Sequence, residues 1–128
     1  MKINKSAIRG GEGNLFEGEE IFLKEPLPYP LHKISKIKYE ARFYKVKERL
    51  LGDVKIKTNL EVEDTSDCTP FIYSLNIEEK GIEIMDKEDG ESEGYIFPSS
   101  SFELDDLLFN IILSHLPIRL TKDLGKIL

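Results

Sequence analysis

Apolar and polar side chains alternate along three stretches in the middle of the chain. In residues 36–43 the odd positions are mostly apolar and the even ones charged, and after Phe43 this parity reverses. A period of two is typical of a strand with one buried face, and a reversal of parity predicts a β-bulge at residues 43 and 44. The same alternation recurs in residues 54–62 and 71–77. We therefore predict an antiparallel meander with one apolar face.

Turn-forming residues separate these stretches. Residues 50–53, Leu-Leu-Gly-Asp, predict the reversal between the first two strands, and the small polar residues at 63–67 predict the next corner. Gly81 predicts another reversal, into a strand at residues 82–85. A charged loop and a short strand at residues 95–97 follow.

A helical period occurs only near the carboxyl end. Apolar residues at positions 104, 107, 108, 111, 112 and 116 follow helical spacing, with Asp105 as the expected N-cap and Pro117 as the stop. More than half of this helix surface is apolar, so it must pack against the meander. The predicted fold class is α+β: an antiparallel β-meander of four to six strands, open or barrel-like, with a packed C-terminal helix.

The length of 128 residues predicts a single domain. We divide it into an irregular N-terminal segment (1–33), the meander (34–97), the helix (103–117) and a tail (118–128).

The N-terminal segment carries weak structural signals. Residues 1–4 are compatible with a short edge strand and residues 5–9 with a helical turn, whereas residues 15–23 lack a clean period. The prolines at 26, 28 and 30 favour extended geometry and forbid helix. We interpret the proline run as a linker on the domain surface, with a docking site for a proline-reading partner as the alternative.

Neither a secretory signal nor a membrane span is evident. Basic residues near the N-terminus precede no apolar stretch, and the longest apolar-rich run, residues 107–116, is far short of the roughly 20 residues that a span needs. A single cysteine gives no internal disulfide. We expect a cytoplasmic protein without membrane contact.

Residues with metal-binding or catalytic potential are isolated. His32 and His115 stand outside any paired metal-ligand spacing, and Cys68 has neither a Cys-x-x-Cys partner nor an evident base to activate it. Residues 10–14, Gly-Gly-Glu-Gly-Asn, lack the lysine of a P-loop, and the acids of residues 86–93 lack the EF-hand ligand order. We predict no catalytic residue, no metal site, no cofactor and no small-molecule substrate.

Basic residues concentrate in one part of the chain. Residues 32–57 hold nine lysines and arginines against three acids, whereas residues 61–93 hold twelve acids and two lysines. Because salt screens charges beyond about 8–10 Å, a partner responds to the patch that it touches more than to the net charge of −6. A basic sheet face is typical of RNA-contacting β domains, although lysine also protects exposed sheet edges. The RNA-binding candidates are Lys36, Lys38, Arg42, Lys45, Lys47, Lys55 and Lys57.

Two groups of short motifs resemble a known family. Residues 64–73 read Asp-Thr-Ser-Asp-Cys-Thr-Pro-Phe-Ile-Tyr, and Tyr-Ile at 95–96 precedes Glu-Leu-Asp at 103–105 and Leu-Pro at 116–117. In this order they resemble the YceD-like family of large ribosomal RNA subunit accumulation proteins, over nearly the whole chain. The single cysteine departs from the family pattern, so a metal role for paired cysteines does not carry over.

The resemblance implies a role in the accumulation of the large-subunit (23S) ribosomal RNA. We therefore expect a non-enzymatic assembly factor whose partner is the 23S rRNA precursor or a large-subunit ribosomal protein. One alternative is a metal-dependent nuclease acting on rRNA precursors, which would need convergent acids or a histidine base near the basic face. Another is a protein-interaction module that uses the acidic residues 61–93.

Overall fold

A computed structural model describes most of the chain. The described residues are 1–20, 27–87, 94–117, 120 and 126–127. The strands are β1 (Lys2–Asn4), β2 (Asn14–Glu20), β3 (Leu31–Ile34), β4 (Ile37–Val46), β5 (Arg49–Glu63), β6 (Pro70–Met85), β7 (Gly94–Ile96), β8 (Ser101–Glu103) and β9 (Lys126–Ile127). The helices are α1 (Leu104–Ser114) and a short 3-10 turn (Lys5–Ala7).

Seven strands form one mixed sheet. Its main order is β2-β4-β5-β6-β7, with β3 also paired to β5 and β9 to β6. All pairs are antiparallel except β6 with β7. Among the described strands, β2 and β7 end the row without pairing to each other, so the sheet is open and a barrel-like form is not supported. A separate ribbon joins β1 to β8. The α+β class and the antiparallel β4-β5-β6 meander are confirmed.

The inner face of the sheet and the helix share one apolar core. In β5 the predicted alternation is confirmed, because Val54, Ile56, Leu60 and Val62 are buried. The helix contributes five buried residues to the same cluster: Leu104, Leu107, Leu108, Ile111 and Ile112. Burying a large apolar side chain stabilises the fold by about 1.5–3 kcal/mol, which is why this helix stays on the sheet.

The helix starts slightly earlier than we predicted. Glu103 is the N-cap, and Asp105 lies in the first turn, where its negative charge favours the positive end of the helix dipole. His115 is the C-cap, so the helix ends before Leu116.

The bulge predicted at residues 43 and 44 is wrong. The β4-β5 register runs without interruption from Lys38 opposite Lys57 to Val46 opposite Arg49. Phe43 is fully buried, whereas Val46 is 47% exposed. The parity changes in sequence because the strand runs past the edge of the core, where an apolar residue no longer needs an inward position.

The first reversal is also displaced from its predicted place. The turn lies at residues 47 and 48, where Lys47 adopts a left-handed φ of 59°. Residues 50–53 belong to β5.

Gly81 forms a bulge within β6, so the reversal predicted there is wrong. Gly52 pairs with Ile82 and Val54 with Glu79, which leaves two residues of β6 opposite Asp53. Gly81 has a φ of 67°, and its amide donates to Asp53 Oδ1 at 2.8 Å. The extra residue moves the inward positions of β6 from odd to even, as a bulge does.

The corner between β5 and β6 is a turn, as predicted. The carboxylate of Asp64, only 2% exposed, accepts from the Ser66 amide at 2.8 Å. Cys68 adopts a φ of 61° and is exposed.

The N-terminal segment is more regular than we expected. It contains β1, β2 and β3, as well as the 3-10 turn. In the stretch 15–23, which lacks a clean period in sequence, β2 extends from residue 14 to residue 20, and residues 21–23 lie outside the described part of the chain. Also outside it are Pro26, six residues of the charged loop (88–93) and most of the tail.

Candidate anion-binding site

The outer face of the sheet, opposite the apolar core, carries most of the predicted basic set. Lys38 and Arg42 project from β4 on this face, and Lys55 and Lys57 project from β5. Lys36 precedes β4 and joins them through a contact with β2. The other two candidates lie elsewhere. Lys45 has the parity of the inner face, and Lys47 occupies the hairpin turn.

Acidic residues divide this outer face. Glu17, Glu40, Lys55 and Glu78 lie side by side on four neighbouring strands, each directly opposite the next. We call the three glutamates of this set the acidic row. The sheet therefore does not present the uniformly basic face that the sequence predicted.

Arg42 also lies in a mixed environment. It is opposite Asp53 on β5, and its guanidinium donates to the carbonyl oxygen of Glu12 at 3.0 Å.

Three lysines gather in a pocket of about 320 Å³ at one end of the outer face. Lys38 and Lys57 lie directly opposite each other on β4 and β5, and Lys36 lines the same space. The other residues lining this space are polar or apolar, but Lys38 and Lys57 also line the larger adjoining pocket together with Glu19 and the acidic row. We call this site the lysine pocket; its members are Lys36, Lys38, Lys57, Asn59, Ser74 and Asn76.

A break between two strands creates the lysine pocket. β3 and β4 lie one after the other along β5, pairing with residues 60–62 and 49–57, and Ser35 crosses the gap between them. The Ser35 amide donates to the Asn59 carbonyl at 2.9 Å, and Ser35 Oγ accepts from the Asn59 amide at 3.0 Å. Buried Thr58 donates to the Ser35 carbonyl at 3.3 Å. These bonds fix the backbone that leads into Lys36.

One hydrogen bond fixes the side chain of Asn59, which lines the pocket. Ser74 Oγ donates to the side-chain oxygen of Asn59 at 2.7 Å, across the β5-β6 pair. The NH₂ group of the same amide is its donor end, and it is the group that Asn59 can offer to an anionic ligand. Lysine ammonium groups and an amide NH₂ are all donors, which is what an anion requires.

A carboxylate from the neighbouring strand β2 already contacts two of the lysines. Glu19 approaches Lys36 Nζ at 3.1 Å and Lys38 Nζ at 3.8 Å. The hydrogen bond and the charge of Lys36, aided by Lys38, hold the pKa of the Glu19 carboxyl below its usual value. The site therefore binds an anionic group of the protein itself.

Several of the acids that the structure describes in residues 61–87 are engaged in contacts within the molecule. Glu63 pairs with His32 at 2.7 Å, and Glu79 pairs with His115 at 2.6 Å. Glu83 pairs with Arg49 at 2.7 Å. These pairs lie at different places in the fold, so they do not form one acidic face.

Cys68 is a free, exposed thiol. Cys68 lies beside Tyr29, whose pKa is raised by desolvation and by the neighbouring thiol. Within the described ranges no three His, Cys, Asp or Glu side chains are grouped so that they could hold a metal ion.

Sequence reasoning identified the three lysines but missed Glu19, Asn59, Ser74 and Asn76. Their contribution depends on which residues lie opposite one another across strands. The alternating pattern placed Asn59 on the outer face of β5, but it did not give its register with β6.

Comparisons with known proteins give no relatives for this chain. No protein-family model matches it, and searches of curated proteins and of solved structures found no match. The resemblance to the YceD-like family therefore stays a prediction. Among the described residues, no helix combines the length and apolar character needed to cross a membrane.

Proposed function

We propose that this protein is a non-enzymatic RNA-binding factor that contacts RNA phosphates through the lysine pocket. The observation that carries the proposal is the convergence of Lys36, Lys38 and Lys57 in one pocket, where a single carboxylate, that of Glu19, is paired with two of them. Lysine is a common phosphate ligand and acts there as a point charge. The proposal is narrower than the sequence prediction, since only three of the seven basic candidates line this pocket.

The placement of two lysines opposite each other supports a binding role. Like charges directly opposite on neighbouring strands destabilise a sheet. Lys38 and Lys57 form such a pair on β4 and β5. A bound anion between them turns this repulsion into two attractive contacts, which gives the unfavourable pair a function.

The part of the proposal that concerns ribosomal RNA has a different basis. Large-subunit (23S) rRNA accumulation is implied by the motif resemblance alone, and it would place the protein in the cytoplasm with an rRNA precursor as its partner. The lysines of the pocket support binding of a phosphate group, and they do not select one RNA.

The alternatives have less support from the described residues. A metal-dependent nuclease needs a group of metal ligands near the basic residues, and no such group is found among them. A protein-interaction module acting through residues 61–93 needs an available acidic surface, but Glu83 pairs with Arg49, and Glu63 and Glu79 are hydrogen-bonded to His32 and His115.

Replacing the pocket lysines tests the proposal. We expect the combined Lys36→Gln, Lys38→Gln and Lys57→Gln variant to bind a short single-stranded RNA at least about tenfold more weakly, because it loses charge-assisted phosphate contacts. Fluorescence anisotropy at low salt measures the affinity. Lys47→Gln is the matched control, since it removes one lysine from the hairpin turn and should leave affinity unchanged.

A loss of folding can be separated from a loss of binding. Lys57→Gln removes the repulsion from Lys38, so it should leave the free energy of unfolding unchanged or raise it by about 0.2–1 kcal/mol. Urea denaturation checks this. Undiminished RNA binding by the folded triple variant would overturn the proposal. Co-sedimentation with large-subunit precursors, lost in the same variant, tests the ribosomal part separately.

A further inference from the structure

The acidic row borders one side of the lysine pocket. On β4, Glu40 is the next outer-face residue after Lys38, and on β2 Glu17 is the next after Glu19. On β6, Glu78 follows Asn76 in the same way. Successive residues on one face of a strand are roughly 7 Å apart. Three carboxylates therefore lie one step from the lysines.

This arrangement is unfavourable for an RNA backbone that runs along the strands through the pocket. Proteins that track a sugar–phosphate backbone provide a continuous basic groove. Here the phosphate next to the bound one would lie over the acidic row, where only Lys55 offsets three carboxylates. On the opposite side of the pocket Glu61 lies opposite Lys33, and Glu63 is bonded to His32, so that side has a smaller excess of negative charge.

The charge of the pocket matches a terminal phosphate better than an internal one. Three ammonium groups, reduced by the carboxylate of Glu19, leave a net charge of about +2. A phosphomonoester carries about −1.5 to −2 charges at pH 7 and has three strong acceptor oxygens. An internal phosphodiester carries a single negative charge.

We propose that the lysine pocket binds the terminal phosphomonoester of an RNA chain, with the rest of the RNA leaving on the side away from the acidic row. This inference rests on the proposed function, because it specifies which phosphate of the RNA the same pocket selects. Lys36, Lys38 and Lys57 bind the phosphate oxygens, and the Asn59 NH₂ group donates to the same phosphate or to the adjoining sugar. The acidic row excludes internal stretches of backbone.

Three RNAs of one sequence test the inference. One carries a 5′-phosphate, one a 3′-phosphate, and one has hydroxyl groups at both ends; each has the same fluorophore on an internal nucleotide. We expect at least one phosphorylated RNA to bind about tenfold more tightly than the hydroxyl-ended RNA, and the tighter of the two identifies the end that enters the pocket. Lys57→Gln should abolish this difference, whereas Lys47→Gln should preserve it.

A second variant tests the acidic row independently. Glu40→Gln should tighten binding of the hydroxyl-ended RNA and so reduce the preference for the phosphorylated end, while Glu48→Gln in the hairpin turn should not. Equal affinity of wild-type protein for all three RNAs would overturn this inference and leave the proposed function intact. Absence of binding to every RNA would overturn the proposed function as well.

Discussion

Glu19 limits how much of the positive charge of the lysine pocket reaches a ligand. Its carboxylate contacts both Lys36 and Lys38, so an incoming phosphate must compete with it. The competition is modest, because water and salt screen an ion pair that is exposed to solvent. Glu19 thus lowers the affinity of the pocket for phosphate without preventing phosphate from binding.

Removing this carboxylate should strengthen RNA binding. We expect Glu19→Gln to tighten binding of a short RNA about twofold to fivefold at neutral pH, the range that corresponds to an exposed ion pair. Glu48→Gln, which removes an acid of the hairpin turn, is the control. Anisotropy titrations of both variants against wild type measure the change, and unchanged or weaker binding by Glu19→Gln would contradict the role assigned to Glu19.

The same comparison has a predictable pH dependence. The pKa of Glu19 is held below the usual carboxyl value by Lys36, so the carboxylate stays ionised down to acidic pH. As the pH falls through that lowered pKa, wild-type Glu19 becomes neutral. The difference in RNA affinity between wild type and Glu19→Gln should therefore disappear at that acidic pH and persist at neutral pH.

Among the elements, β6 contains a bulge that depends on the left-handed backbone conformation of Gly81. Gly81 has a φ of 67°, and a Cβ added there would meet nothing within 4 Å. Gly81→Ala should therefore destabilise the protein through conformation alone, by about 1–2 kcal/mol. Gly10→Ala is the matched control, because Gly10 also has open space around it and no left-handed φ. Urea denaturation of both variants measures the difference, and equal stability would contradict the bulge.

The elements also show why sequence reasoning succeeded in some places and failed in others. Alternation correctly identified β5, because its even positions from Val54 to Val62 face the core along that whole length. It failed at residues 44–46, where β4 extends beyond the core and burial no longer selects apolar residues. It failed again at Gly81, because a glycine with positive φ suits a bulge as well as a turn. The choice between them depends on Asp53, which lies on another strand.

For the candidate site, the basic residues could be identified from the sequence, but their arrangement across strands could not. Lys38 and Lys57 were correctly expected on one face, since the period of two determines the face within a strand. Three further features depend on the register of four strands. Lys38 lies opposite Lys57, Glu40 and Glu78 lie opposite Lys55, and Glu19 contacts Lys36 and Lys38. Register is set by turns, and the first turn lies at residues 47 and 48 rather than at 50–53.

At the scale of the whole molecule, the net charge of −6 and a phosphate-binding site are compatible. Salt screens charges beyond about 8–10 Å, so a phosphate in the lysine pocket interacts mainly with the three lysines, Glu19 and the adjoining acidic row. The remaining acids act at longer range and oppose the approach of RNA at low salt. The protein should therefore bind RNA locally, without the electrostatic steering that strongly basic RNA-binding proteins use.

The salt dependence of RNA affinity distinguishes the lysine pocket from a broad basic face. For single-stranded RNA, the slope of log K against log salt concentration is about −0.7 for each phosphate that the protein neutralises. A face using all seven basic candidates would give a slope of about −5, whereas contacts limited to the three pocket lysines give about −2 or shallower. We expect the shallower slope, because Arg42 and Lys55 lie among acids and Lys45 and Lys47 lie away from the pocket. Anisotropy titrations over a series of salt concentrations measure it, and a slope near −5 would show that RNA contacts the whole basic set.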